Sequence, residues 1–360
     1  MKIVSVVGAR PQFVKLAPIH KAALAAGVEH VIVHTGQHYD PMLSDVFFEE
    51  LGIGAPDVHL GVGSGSHGVQ TGAMLAALDA VFDEHRPDWV LVYGDTNSTV
   101  AAALSAVKMH IPVAHLEAGL RSFNRRMPEE HNRVMTDHAA DLLLAPTQVA
   151  VDHLANEGLA DRTVLVGDVM TDVLFEIRDE VAGTPSILLD ELGLSPQGYY
   201  VATIHRAENT DDPARLAEVA GALAGLDRPV ILLAHPRVVA KAAAHGISLT
   251  QGSLVAHAPL AYADLIAAAL SSAGVVTDSG GLQKEAFLLG VPCTTVRTET
   301  EWVETIHLGW NVLANTAEEI SAGVTRPRPD DTSEAPYGDG HAAERVIAEL
   351  VKAGGGTGRG

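Results

Sequence analysis

One cysteine, Cys293, stands in 360 residues, so no internal disulfide can staple the chain. That usage suits a reducing compartment, and a cytoplasmic location is expected. Cys293 lies in GVPCTTV, where a small buried apolar role is the default. Basic residues are also scarce: 24 Lys and Arg against 45 Asp and Glu give a net charge of −21. This argues against a nucleic-acid surface, because phosphate contacts need clustered cations. No apolar stretch approaches the ~20 residues of a membrane helix, so no membrane partner is expected. The opening run KIVSVV lacks a basic leader and cleavage site, and reads as a first strand. Several motifs are missing too. Without G-x-G-x-x-G or a Walker loop there is no standard dinucleotide or P-loop fingerprint. Without H-E-x-x-H or a Cys/His set no metal is expected. Ser279 has no G-x-S-x-G elbow around it, which argues against a hydrolase triad.

What is present is alternation. Hydrophobic residues make up 47% and charged residues 19%, a globular composition, and the length is comfortable for two domains. Short β-branched runs at 2–7, 30–34, 89–93, 112–116, 141–145 and 163–166 read as strands, and a second series covers 199–204, 229–234, 253–257, 274–277 and 292–296. Helix-like stretches at 98–109, 147–157, 213–225, 259–271 and 281–289 lie between them. Continuous apolar strands suit parallel sheets covered on both faces. The class is α/β, with two doubly wound domains at 1–168 and 175–338 joined near 167–175. The stretch 326–340 reads as a loop, 341–352 as a last helix, and AGGGTGRG as a disordered tail.

Ligands of open parallel sheets bind beyond the carboxyl ends of the strands. The unusual residues recur at those positions. GARPQFVK follows the first strand, with Pro11 suited to a first helical turn, Arg10 at the helix start and Lys15 one turn inside. YGDTNST leaves Asp95 just past a strand; Asn97 and Ser98 can cap the next helix, which frees Asp95 for chemistry. Glu117 occupies the same position after 112–116, and Glu129 and Glu130 follow Pro128 in the first turn of another helix. Acids are favoured there by the helix dipole, and Glu130 reads as structural. Three carboxylates, Asp95, Glu117 and Glu129, form a candidate acid/base set, with Arg121 and Arg133 as partners that keep them ionised.

The second half supplies an anion site. VVTDSGGLQKEA is strand, then Ser279, Gly280 and Gly281, then helix, so backbone N–H groups can meet a phosphate. Glu285 suits a ribose diol. His205 and Arg206 follow 199–204, while His235 and Arg237 follow 229–234. Cations stabilise a departing diphosphate. Carboxylates move a proton or steady an oxocarbenium-like centre. The pattern reaches a nucleotide-sugar enzyme and does not choose between transfer and isomerisation.

GARPQFVKLAP (8–18), TGQHYD (35–40), YGDTNST (93–99), HLEAGLRS (115–122), MPEEHNR (127–133), TIHRAEN (203–209), TDSGGLQKEA (277–286) and RTETEW (297–302) choose for it. In this order they strongly resemble the non-hydrolysing UDP-N-acetylglucosamine 2-epimerases. The resemblance implies two Rossmann-like domains in a GT-B-like fold, an interdomain active-site cleft, a homodimer, and a last helix that crosses back. It implies UDP-GlcNAc and UDP-ManNAc as substrates, without redox cofactor or metal, through UDP elimination to a 2-acetamidoglucal and re-addition. By motif match Asp95, Glu117 and Glu129 carry acid/base roles, and His205 supports the leaving group. Arg10, Lys15, His235, Ser279, Gly280, Gly281 and Glu285 match ligand-binding positions. Gln37, His38 and Gln70 match a regulatory site of some members. Rival readings are a GT-B glycosyltransferase and a hydrolysing epimerase; modified UDP-GlcNAc derivatives are alternative sugars.

Overall fold

Every run read as a strand pairs in one of two parallel sheets. The structure, a computed structural model, describes residues 1–37, 53–330 and 334–356. The chain divides into two compact units, Met1–Val173 with Ala335–Gly360, and Leu174–Glu334. The first contains β1 (Lys2–Val7), β2 (Glu29–His34), β3 (Val58–His59), β4 (Trp89–Tyr93), β5 (Val113–Leu116), β6 (Leu142–Ala145) and β7 (Thr163–Leu165). Its order is β3-β2-β1-β4-β5-β6-β7. The second contains β8 (Tyr200–Thr203), β9 (Val230–Leu233), β10 (Leu254–His257), β11 (Gly274–Thr277), β12 (Cys293–Thr295) and β13 (Asn311–Leu313), in the order β10-β9-β8-β11-β12-β13. These are the two doubly wound Rossmann-like units expected of a GT-B-like α/β chain. Winding reverses between β1 and β4 in one sheet, and between β8 and β11 in the other.

Strands such as WVLVY and VAHL are buried along their whole length, as helices on both faces require. In the first unit one core lies under the helices Arg10–Ala25 and Ala342–Gly356, through Leu16, Ile19, Val346, Ile347 and Leu350. The opposite face packs Met74, Leu78, Ala102 and Leu154 from three other helices. Each fully buried aliphatic side chain is worth about 1.5–3 kcal/mol over an exposed one. The last helix starts on a borrowed acceptor: the Asp172 carboxylate receives N–H bonds from Ala342 (3.0 Å) and Ala343 (2.7 Å). Two orphan donors of a helix start are thereby satisfied.

Two sequence expectations change. The last helix runs on through Gly356, into the stretch expected as a disordered tail, because its final turn lies against Met1 and Trp89. Edge strands β3 and β13 have two and three residues, too few to show a period. Between the runs 163–166 and 199–204, where no strand was expected, lie the helices Val169–Glu180 and Ile187–Leu192.

Candidate active site

In the N-terminal unit the reversal point gathers the loops after β1, β4 and β5. A Cβ on Gly8 would lie 2.1 Å from Ser98 Oγ and 2.2 Å from Thr35 Oγ1, so this close approach admits only glycine. Gln12 latches the loop. Its Oε1 accepts from the N–H groups of Gly8 (2.8 Å) and Ala9 (3.0 Å), and its Nε2 donates to the Tyr93 carbonyl (2.8 Å). Arg10 opens the helix with Pro11 beside it. Lys15, one turn on, forms an ion pair with Glu117, 102 residues away. Burial pulls the Lys15 ammonium down, but Glu117, with Asp168 and Asp95 behind it, outweighs burial and leaves it above its ordinary value. Lys15 is therefore a fixed positive charge at the strand ends.

Asp95 follows the end of β4 and caps nothing. The cap of helix Asn97–Lys108 is Thr96, whose Oγ1 accepts from Thr99 N–H (3.3 Å), not Asn97 or Ser98 as the sequence suggested. Thr96 reaches that N–H because it is the last extended residue. Asp95 is instead ion-paired with Arg133 on the helix Pro128–Ala139. From the same helix Asn132 Nδ2 donates to the Asp95 carbonyl (2.9 Å). Residues three and four apart share a helix face, so half-buried Glu129 stands on the face that meets Asp95. Glu130 has the structural role read for it. Its carboxylate accepts from Ser122 N–H (2.9 Å), Ser122 Oγ (2.8 Å), Phe123 N–H (2.8 Å) and Arg133 (2.8 Å). Burial raises the Glu130 carboxyl, and these donors together override it and hold it below its ordinary range.

Glu117 has φ of 67°, a left-handed backbone that non-glycine residues rarely adopt. Such strain persists only where neighbours over-determine it, and it clusters at functional sites. Its cation is Lys15. Arg121, expected as a partner for the candidate acids, turns away to Asp137 (2.7 Å) and Glu157 (2.7 Å). Arg133 does serve an acid of the set, Asp95.

The C-terminal unit builds a different kind of site at its own reversal point. A cavity of about 480 Å³ is lined by His205, His235, Ser279, Gly281, Leu282 and Glu285, among others. Five residues chosen from sequence thus meet around one space. Fully buried Asp278 ties the loops together: it accepts from the N–H groups of His205 (3.1 Å) and Arg206 (2.9 Å) and from Asn209 Nδ2 (3.0 Å). His205 Nδ1 lies 3.2 Å from the same carboxylate, and the ring stays half exposed. Ser279 caps helix Gly280–Leu288 through Leu282 N–H (3.4 Å), and His235 Nδ1 accepts from Arg237 N–H (3.2 Å) at the start of Pro236–Ala244. Gly280 presents its carbonyl to Trp302 Nε1 (2.7 Å). Tyr262 donates to Glu285 (2.7 Å), whose carboxyl is raised by burial against the pull of Tyr262 and Lys284. Asp278 and Tyr262 were missed as supports; neither has a local signature, since each acts on residues far along the chain.

Gln37 and Gln70 are buried. Gln70 Nε2 donates to the Gln37 carbonyl (3.1 Å), and Asn97 Nδ2 donates to Gln70 Oε1 (2.9 Å). His38 lies outside the described residues. Among the described residues no cluster of three His, Cys, Asp or Glu could hold a metal ion, and no helix is long and apolar enough to cross a membrane.

The UDP-N-acetylglucosamine 2-epimerase family model matches residues 21–351. The chain belongs to that family. It is 45% identical over 363 residues to the UDP-2,3-diacetamido-2,3-dideoxy-D-glucuronate 2-epimerase of Pseudomonas aeruginosa, covering 98% of this chain and 100% of that one. The solved UDP-GlcNAc 2-epimerase of Methanocaldococcus jannaschii aligns with a TM-score of 0.85 at 34% identity, over 98% of this chain and 100% of that one. The same enzyme in complex with UDP-GlcNAc and UDP aligns at 0.79 and 35%, with the same coverage.

Proposed function

We propose that the chain inverts C2 of a UDP-linked 2-acetamido sugar, interconverting UDP-GlcNAc and UDP-ManNAc. The observation that carries this reading is the charged set at β1, β4 and β5, Lys15–Glu117 and Arg133–Asp95 with Glu129 alongside, in a member of this family. A C2 proton is not acidic in the ground state, and cleavage of the C1–O bond makes it so. One carboxylate takes the C2 proton while the C1–O pair leaves with UDP, giving a 2-acetamidoglucal with a C1–C2 double bond. Return of a proton to the opposite face of C2 and attack of the diphosphate oxygen at C1 complete inversion. Two faces need two proton-transfer groups, and Asp95, Glu117 and Glu129 are the three candidates for them.

In this reading the C-terminal unit, Leu174–Glu334, holds UDP. Ser279, Gly280 and Gly281 take phosphate oxygens at the helix start, and Glu285 takes the ribose hydroxyls. His235 lines that cavity, and His205, braced by Asp278, steadies the leaving group. Arg10 and Lys15 add positive charge. Gln37 and Gln70 are read as regulatory through Asn97, which also accepts from Asn132 (3.3 Å). We also read the chain as a cytoplasmic homodimer working without metal or redox cofactor.

A second sugar is favoured by one observation, the 45% identity to a diacetamido-glucuronate epimerase. Incubation in D2O with UDP-GlcNAc, and separately with UDP-2,3-diacetamidoglucuronate, decides between them. Deuterium at C2 of recovered UDP-GlcNAc and UDP-ManNAc supports the first reading. Deuterium only in the diacetamido sugar moves the substrate. Free ManNAc would indicate a hydrolysing enzyme, and turnover only after an acceptor is added would indicate a transferase.

A further inference from the structure

Behind Asp95 and Glu117 lies a charged group that the proposed chemistry does not use. His115, in the middle of β5, and Asp137, on the helix Pro128–Ala139, are both fully buried. His115 Nδ1 is 2.7 Å from Asp137 Oδ1, and its Nε2 is 2.7 Å from the Gly94 carbonyl. A carbonyl only accepts, so Nε2 carries a proton. Asp137 Oδ2 accepts from Gly119 N–H (3.2 Å) and from Arg121 Nη1 (2.7 Å), whose guanidinium also pairs bidentately with Glu157. Burial raises the Asp137 carboxyl, but His115 and Arg121 together prevail and hold it low, so it is a carboxylate facing an N–H on the second ring nitrogen.

Such a cluster is poor stabilising material. Taking charges out of water costs nearly what their attraction returns, and well-packed apolar side chains often serve stability as well. What apolar residues cannot do is hold backbone. Gly94 immediately precedes Asp95, and Gly119 follows Glu117 by two residues. Gly119 has φ of 84°, and a Cβ on it would lie 2.4 Å from the Ala150 carbonyl, so the loop runs hard against the neighbouring helix. Its carbonyl is fixed by His153 Nδ1 (3.0 Å), and Ala118 N–H donates to Leu144 (3.3 Å). The strained φ of Glu117 is therefore clamped on its C-terminal side by Asp137, while the residue before Asp95 is clamped by the ring bonded to Asp137.

We propose that the buried His115–Asp137 pair positions Asp95 and Glu117 together, by holding the Gly94 carbonyl with one end and the Gly119 amide with the other. The two loops come from different strands, and this pair makes them one rigid body. The inference rests on the acid/base roles proposed above for those two carboxylates.

A double-mutant cycle tests it. Asp137→Asn keeps the shape of the side chain and removes the charge. It is expected to lower kcat for C2 exchange about 100-fold, the scale of a 1 Å misplacement, with KM for the UDP-sugar changed less than about threefold. In a Glu117→Gln background the same substitution is expected to cost less, about 10-fold, because the part of its effect that runs through Glu117 is already lost and only the part that runs through Asp95 remains. His115→Gln, which retains one donor, repeats the cycle should Asp137→Asn fold poorly, with an expected loss of about 10-fold in kcat. A cost that persists undiminished in the Glu117→Gln background overturns the positioning role. So does an equal rise in KM, or a lowered Tm with kcat unchanged per folded molecule. An inert Glu117→Gln instead overturns the functional reading on which the pair depends, and the single variant shows this separately.

Discussion

The two sheets share one winding order and carry opposite kinds of chemistry at the same topological point. Between β1 and β4 the N-terminal unit sets charge against charge: Lys15 on Glu117 and Arg133 on both Asp95 and Glu130. Between β8 and β11 the C-terminal unit spends its carboxylates on neutral donors, Asp278 on backbone N–H groups and Glu285 on a phenol. The cavity beside them is lined by Ser279, Gly281, His205 and His235, the surface that the proposed function gives to the diphosphate. In the proposed function the first arrangement keeps charge ready for proton transfer; the second lines a cavity. A doubly wound sheet supplies the place, and the loop residues decide what happens in it.

That contrast can be broken from either side. The largest effect is expected from Glu117→Gln. It should lower kcat by about 10³-fold, within the usual range for an acid/base group, while UDP affinity by calorimetry changes less than about threefold. An equal loss of UDP affinity would mean that the division between the units is wrong. Asp278→Ala comes next: it strips the partner from several buried donors and should cost about 3 kcal/mol in urea unfolding, with weaker UDP binding.

The third prediction concerns acid. Glu130 has a folded pKa below its ordinary 4.5, so the stability it adds is present above that value and is lost as pH falls through the folded one. Glu285 is raised above 4.5, so its contribution is present below 4.5 and is lost as pH rises through the folded value. Glu130→Gln should therefore flatten the acid-side fall in stability, and Glu285→Gln the opposite slope. Urea midpoints measured across pH 3–7 check both signs; slopes of one sign for both variants would remove the contrast. The smallest effect belongs to Tyr262→Phe, which loses one hydrogen bond of about 1 kcal/mol and should raise KM about fivefold with kcat unchanged.

Much of this was legible without coordinates. Runs such as KIVSVV and WVLVY announce strands because a doubly covered sheet favours apolar side chains on both faces. The strand-end residues then stand out because nothing in a core explains them. The pairings were not legible. Arg121, four residues from Glu117, looked a natural partner, yet Lys15 holds that carboxylate from 102 residues away. Thr96 took the cap from Asn97 and Ser98 because one residue of backbone geometry decides which oxygen reaches the free N–H. Local pattern places residues at a sheet end; the tertiary fold selects which of them touch.

The helix Ala342–Gly356 sets an order of assembly. Its Val346, Ile347 and Leu350 complete the core under the helix Arg10–Ala25, and its first N–H groups wait on Asp172. During synthesis the first unit has all its strands long before it has its last helix. The second unit, made later, is contiguous from Leu174 to Glu334 and can close its own core first. The carboxylate-bearing half of the molecule is begun first and finished last, and a ribosome stalled anywhere before residue 342 leaves an apolar face of that half uncovered.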